Sequence, residues 1–439
     1  MTRALDRDIR RLALPALGAL VAEPLFLLTD TALVGHLGGV PLAGLGIASV
    51  VIQTVVGLLV FLAYATTPMV ARRLGSGDLT GAVRAGIDGV WLALAVGALL
   101  VAVGVPLSGW VVGLFGAAPE VAAAATTYLS ISLWGIPALL LTLAASGLLR
   151  GLQNTTTPLV VAGVGFAANA VLNAVFIYGF GWGIAGSAIG TVLAQWGMAA
   201  VYVVIAVRAA RAVGADLRPG LAGVGRTAQA GGWLLVRNAG LRAALLATVA
   251  AAASAGVTGL ATIQIALTLF STLAFALDAL AIAGQAMVGH ALGQGDRERV
   301  RAITRRLMLL GVGGGVVLGA VLALLAPVLA PVFSPDPGVQ ALLPSVVVAM
   351  AVGIPLAGFV FVLDGVLLGA GDARYLAIAS VVSVLAYLAV LLPVEARVGT
   401  TTSGAVALWL AFGLGYIGAR AVTLGLRART DRWMVVGAR

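Results

Sequence analysis

The sequence contains no cysteine and no lysine, only two histidines, and charged residues make up 10% of its 439 positions. Without cysteine there is no disulfide, no thiolate nucleophile and no cysteine-held zinc or iron–sulfur centre. The histidines, His36 and His290, fall at the ends of apolar runs, where hydrogen bonding or solvent accounts for them. Two imidazoles do not make a metal site, so no metal and no organic cofactor is expected. A soluble domain carries about 25% charged residues. This chain lacks the groups to coat itself against water, which excludes a soluble enzyme, a disordered protein and a DNA-binding domain. What stands in their place is apolar: 61% of the residues are hydrophobic, and the mean hydropathy is +1.11.

A membrane helix needs about 20 apolar residues. Twelve runs qualify, at 12–37, 43–71, 86–106, 121–148, 158–179, 183–207, 228–252, 258–291, 304–330, 339–370, 375–395 and 402–426. The first is too long for a cleaved signal peptide and lacks a small-residue cleavage site. Every one of the 26 basic residues is arginine, against 16 acids, a surplus of +10. Such a surplus fits either a nucleic-acid partner or the cytoplasmic arginine excess that orients membrane proteins. The distribution decides. Twenty-three arginines lie at the termini or in even-numbered loops, Arg397 alone in an odd-numbered one, and Arg237 and Arg242 in or beside the seventh run. That bias predicts an integral protein of the cell (cytoplasmic) membrane with both termini in the cytoplasm. Its surroundings are the lipid bilayer, no nucleic acid is expected as a partner, and the working unit is expected to be a monomer.

The chain also repeats itself. Met69–Asp78 (MVARRLGSGD) matches Met287–Asp296 (MVGHALGQGD) at an offset of 218, and the same offset pairs Gly147–Gly151 with Gly365–Gly369. These Gly-rich turns have no following lysine and are not phosphate loops. The expected fold class is an all-α integral membrane protein of twelve transmembrane helices. They form an N-terminal six-helix lobe, 1–213, and a C-terminal six-helix lobe, 214–439, related by a pseudo-twofold axis along the membrane normal. Transporters built from such repeats bind substrate near the bilayer midplane and alternate access by rocking one half against the other.

Several motifs then carry a family resemblance. Glu23–Gly38 (EPLFLLTDTALVGHLG) resembles the first-helix motif of the multidrug and toxic compound extrusion (MATE) family. So do Gly179–Thr191 (GFGWGIAGSAIGT) at the turn into the sixth helix and Leu149–Thr155 (LRGLQNT) after the fourth. Phe275–Ala281 (FALDALA) and Arg237–Arg242 (RNAGLR) look like the branch named for DNA-damage-inducible protein F, the DinF-like branch. The resemblance covers nearly the whole chain. It implies cation-coupled export of small organic compounds, with a proton or Na⁺ as coupling ion and no enzymatic chemistry.

Ionisable groups inside a membrane are costly, about 2.5–3.5 kcal/mol at a helix centre on insertion scales, so few persist without use. Four acids are read as embedded: Glu23, Asp30, Asp278 and Asp364. Asp30 lies in the first-helix motif and is the foremost candidate for the coupling acid; the alternative is a hydrogen-bonded structural Asp near a helix end. Glu23 lies about two turns earlier, on the same face. It is either a supporting group or a solvated one at the membrane edge. Pro24 should weaken or kink the helix between them, and the resemblance implies a first helix whose bend depends on Asp30. Asn169 and Asn173 are four apart and share a face of the fifth helix. They serve either helix–helix hydrogen bonding or a polar network around Asp30. In some relatives an acid occupies this region, and Asn173 in its place leans toward a proton rather than Na⁺. In the second half, Asp278 and Arg242 are expected to form a buried ion pair, structural or substrate-contacting. Arg237, about 140° away from Arg242, is expected near the cytoplasmic edge. Asp364 aligns with Ser146, and the resemblance places an acid of this helix in a cation site in some relatives; a structural pair with Arg242 is its alternative.

Taken together, the residues and the resemblance point to an antiporter, proton-driven, that exports amphipathic and often cationic organic compounds. A flippase for a lipid-linked precursor is the alternative within the same superfamily and would want more embedded basic groups. A membrane-embedded enzyme would need clustered His, Ser or acid groups, and the acids lie on separate spans.

Overall fold

Long apolar runs bounded by glycine, proline and aspartate turns fold here as helices, because a backbone without water must satisfy its polar groups internally. The computed structural model describes residues 2–254, 256–395 and 401–437. Twelve helices are long and apolar enough to cross a membrane: α1 (Arg3–Gly35), α2 (Gly39–Gly75), α3 (Leu79–Gly113), α4 (Pro119–Gly151), α5 (Thr156–Gly179), α6 (Gly183–Val213), α7 (Leu221–Ser254), α8 (Gly256–Gly293), α9 (Arg297–Phe333), α10 (Pro337–Gly369), α11 (Ala373–Val394) and α12 (Ser403–Ala428). All twelve predicted spans are found, and no strand is present among the described residues. Arg397 lies outside the described residues. Most helices overrun the predicted limits, since polar residues extend a helix beyond its apolar core once an aspartate caps it. Asp78 accepts a 2.7 Å bond from Gly81 N at the start of α3, and Asp296 accepts a 2.8 Å bond from Arg299 N at the start of α9. The helix at the N-terminus runs through Pro15 and Pro24 without interruption. Two segments loosen into π-helix, Val175–Gly179 at the end of α5 and Ala411–Ile417 within α12.

The 218-residue offset governs packing as well as sequence. Gly147 on α4 sits against Ala63 of α2, and Gly365 on α10 sits against Ala281 of α8. Gly97 on α3 meets Pro137, and Gly315 on α9 meets Pro355. In each case both partners shift by the same 218. Small residues let helix backbones approach closely where lipid gives no hydrophobic drive to association. Even the turns correspond: Gln153, the one non-glycine with positive φ among the described residues (φ 63°), stands where the second half has Gly371 (φ 71°). A methyl group at Gly365 would fall 2.5 Å from Ala281 Cα. Gly365→Ala should therefore cost about 1–3 kcal/mol by overpacking, read as a lower thermal midpoint of the purified protein; an unchanged midpoint would mean that α8 and α10 separate freely there.

The chain gathers into two compact units, Arg10–Gly231 with Gly437–Arg439, and Met1–Ile9 with Gly232–Val436. The border lies inside α7, so the connecting segment and the first turns of α7 go with the first six helices. The cause is visible on α3. Asp88 Oδ1 accepts from Gly220 N at 2.8 Å, Trp91 donates to Leu217 O at 2.9 Å, and Arg84 donates to Asp216 O at 3.2 Å. The Arg218 N–H bonds the Asp216 carboxylate and, with Arg84, holds it below the usual carboxylate range. Asp88 is buried. It lies two residues inside the predicted run 86–106 and was not counted among the embedded acids. In the other unit, Arg306 binds both carboxylate oxygens of Asp6, at 2.5 and 2.8 Å, and ties the first turns of α1 to α9.

Candidate functional site

Asp30 lies on α1 at 3% exposure, near the helix end opposite the arginine-rich first turns. Three helices aim polar side chains at its carboxylate. Ser187 of α6 donates to Oδ1 at 2.5 Å, Asn173 of α5 donates to the same oxygen at 2.8 Å, and Tyr128 of α4 donates to Oδ2 at 3.0 Å. Asn169 supports the ring from behind: its amide donates to Thr191 of α6 at 3.0 Å, and its Oδ1 accepts from Asn173 at 3.2 Å. Every one of these groups is buried. The expected grouping of Asp30, Asn169 and Asn173 is found, and Tyr128, Ser187 and Thr191 complete it. Burial and hydrogen bonding act on such an acid in opposite senses. Asn173 Oδ1 has no partner among the described residues, which leaves acceptor capacity inside the cluster. Among the described residues no group of three or more His, Cys, Asp or Glu is placed to hold a metal ion. Glu23 belongs to α1, but its side chain lies outside the described residues.

The second unit holds a different cluster. Asp364 of α10 is gripped by two arginines, Arg237 of α7 and Arg420 of α12, each in a close ion pair. Arg237 also donates to Asn238 Oδ1 at 2.7 Å, and Ser380 of α11 donates to Arg237 O at 2.9 Å. Three expectations are corrected here. Arg242 is exposed, so it is the buried partner of neither Asp278 nor Asp364. Arg237 is not at an edge; its guanidinium lies in the ion-pair cluster, because its face of α7, about 140° from that of Arg242, is the one turned to α10. Arg420, counted among the cytoplasmic arginines of the C-terminus, is 5% exposed within α12. Asp278 is half-buried on α8.

By the 218 offset, Asp30 corresponds to Thr248 and Asn169 to Tyr387, and these two share a 2.6 Å hydrogen bond. The acid cluster of the first unit is thus replaced in the second by a polar pair beside an aromatic core of Phe412 and Tyr416. The duplicated scaffold therefore holds chemically unlike sites. With that architecture in view, the profile of the MatE family matches residues 15–175 and 235–392. The chain belongs to the MATE family of transporters. It is 30% identical over 477 aligned residues to Protein DETOXIFICATION 43 of Arabidopsis thaliana, covering 95% of this chain and 89% of that protein. It is 28% identical over 312 residues to DNA damage-inducible protein F of Escherichia coli, covering 68% and 66%. In fold it matches the Vibrio cholerae MATE transporter VcmN in the bent form, with a TM-score of 0.88 at 21% identity over 99% of both chains. This MATE chain is therefore an integral membrane transporter and not an enzyme.

The residues that sequence reasoning missed had a signal. Ser187 and Thr191 are four apart on α6, as Asn169 and Asn173 are on α5, and both pairs put two polar groups on one face. Tyr128 and Ser132 repeat the pattern on α4, in a helix otherwise rich in alanine and leucine.

Proposed function

We propose that this MATE protein is a proton-driven antiporter that exports amphipathic, often cationic organic compounds across the cell (cytoplasmic) membrane, working as a monomer with both termini inside. Asp30 carries the proton. One observation bears most of the reading: the buried Asp30 carboxylate has Tyr128, Asn173 and Ser187 within hydrogen-bond distance, and the Asn173 contact is an amide nitrogen, which offers a cation no lone pair. Donors suit a carboxylate that alternates between charged and protonated forms; a Na⁺ site needs oxygen lone pairs turned inward. On protonation, Ser187 can turn its hydroxyl, and Asn173 already has Asn169 Oδ1 as a second acceptor. Such a change loosens the tie between α1 and α4–α6, the step that supports a rearrangement of the first helix. The relative in the bent form fits that reading. When one proton is exchanged for a singly charged cation no net charge crosses, and the pH difference supplies about 1.4 kcal/mol per unit. A flippase for a lipid-linked precursor would want basic groups available to a phosphate, and Arg237 and Arg420 are both engaged by Asp364.

The test uses the full chain in proteoliposomes loaded with a fluorescent organic cation. An imposed proton gradient should drive efflux, and a Na⁺ gradient of equal size should not. Efflux with Na⁺ alone would reassign the coupling ion, and efflux with neither would end the antiport reading.

A further inference from the structure

Helices α9 and α10 pack through small residues spaced four apart. Gly311 meets Gly358, Gly315 meets Pro355, and Gly319 meets Ala351. The next two steps of α9 are Ala323 and Pro327, and there the close packing stops. A cavity of about 480 Å³ opens, lined by Ala323, Ala326 and Pro327 of α9, Pro344, Ser345, Val348, Ala349 and Val352 of α10, and Val406 of α12. Its size is that of small-molecule sites, about 300–1,000 Å³. Val348 and Val352 at its rim are exposed, so the cavity is a broadly open groove on the surface rather than an enclosed pocket.

The wall is apolar, with two polar features that the fold itself leaves open. Proline has no N–H, so Pro327 deprives the carbonyl four residues earlier, that of Ala323, of its helical donor. Ala323 lines the cavity. The Ser345 hydroxyl, also in the wall, makes no hydrogen bond within the protein among the described residues. An acceptor that has lost its partner in an apolar setting gains from any donor offered to it. A hydroxyl does both on a single atom, donating to a carbonyl while accepting from another hydroxyl. The site is particular to this unit: by the 218 offset Pro327 and Pro344 correspond to Gly109 and Thr126, which lie side by side with both prolines replaced.

We propose that this cavity is a binding site for an uncharged single-chain amphiphile bearing a hydroxyl group, of the long-chain alcohol class, taken from the bilayer. The apolar chain fills the cavity, and the hydroxyl bridges the Ala323 carbonyl and Ser345. The site is separate from the Asp30 cluster and carries no coupling charge.

The experiment reconstitutes the full chain in phosphatidylcholine vesicles with hexadecanol bearing a photoactivatable diazirine and maps the adducts by mass spectrometry. Adducts should concentrate on residues 323–327 and 344–352, and unlabelled hexadecanol should compete about fivefold better than hexadecane, in line with one neutral hydrogen bond. Ala349→Phe, which fills the cavity, should remove the adducts. Pro327→Ala, which returns a donor to the Ala323 carbonyl, should bring competition by the alcohol down to that of the alkane. Adducts spread evenly over α9 and α10 and indifferent to Ala349→Phe overturn the proposal, as does equal competition by alcohol and alkane in the unaltered protein.

Discussion

Asp30→Asn should leave a folded protein that no longer couples transport to protons. The amide is nearly isosteric with the carboxyl, and it keeps one oxygen for the donors that converge from Tyr128, Asn173 and Ser187. Ser187 can turn its hydroxyl to accept from the new NH₂. The local cost is that of one rearranged buried hydrogen bond, about 1–3 kcal/mol, which a stable membrane protein survives. The functional cost is larger, because the amide cannot exchange a proton. Removing the coupled proton removes the drive of the pH gradient, about 1.4 kcal/mol for each pH unit across the membrane, or tenfold per unit in the accumulation ratio that the gradient can sustain. In proteoliposomes, gradient-driven efflux should fall to the passive rate, while thermal unfolding of the purified variant shifts only modestly. Unimpaired proton-driven efflux in Asp30→Asn would take this acid out of the mechanism and turn attention to Asp364.

The largest stability effect belongs to Arg420. This guanidinium is buried and paired with Asp364, so Arg420→Met strips one of two cations from a buried carboxylate. Breaking a buried pair by removing one partner costs about 3–5 kcal/mol. Arg237→Met should cost less: its side chain is 17% exposed against 6% for Arg420, and water can make up part of the loss. Replacing the whole triad with apolar groups, Arg237→Met, Asp364→Leu and Arg420→Met, should recover most of the stability, because buried ion pairs give little net gain over well-packed hydrophobic residues. Thermal unfolding followed by tryptophan fluorescence reads all three variants. The triple variant also separates structure from transport. Stability and efflux restored together would make the triad a structural knot; stability restored without efflux would give it a part in the transport cycle. An Arg420→Met protein as stable as the parent would contradict the burial on which this expectation rests.

The division between what the sequence foretold and what it hid follows from the physics of each signal. Span number and repeat are long-range patterns, and averaging over 20 or more residues makes them robust. Asp30 was legible because a carboxyl in an apolar run is costly and therefore conspicuous. Its neighbours were harder to see. Serine, threonine and tyrosine occur throughout membrane helices at little cost, and only the four-residue spacing sets Ser187 with Thr191 apart from the background. The second unit failed in a more specific way. Arg237 and Arg242 are five apart and face differently, so a pairing with an acid required knowing which face of α7 meets α10, and sequence adjacency of α7 and α8 favoured the wrong partner. Arg420 was hidden by the orientation rule itself, which counts any arginine near the end of a span as cytoplasmic. Asp88, two residues inside its predicted run, passes for the polar edge of a span when it is in fact holding the connecting segment.

The common offset of the two units has a practical side. Each half repeats the other at a fixed offset, so the molecule carries a two-member alignment within a single chain. Where the halves share a backbone shape but differ in residue, the better suited of the two can be copied across. Gln153 and Gly371 form such a pair: both sit in the left-handed region, where glycine is at ease and a side chain is strained. The second half thus spells out an exchange that relieves this backbone strain in the first, a starting point for engineering that requires no sequence but its own.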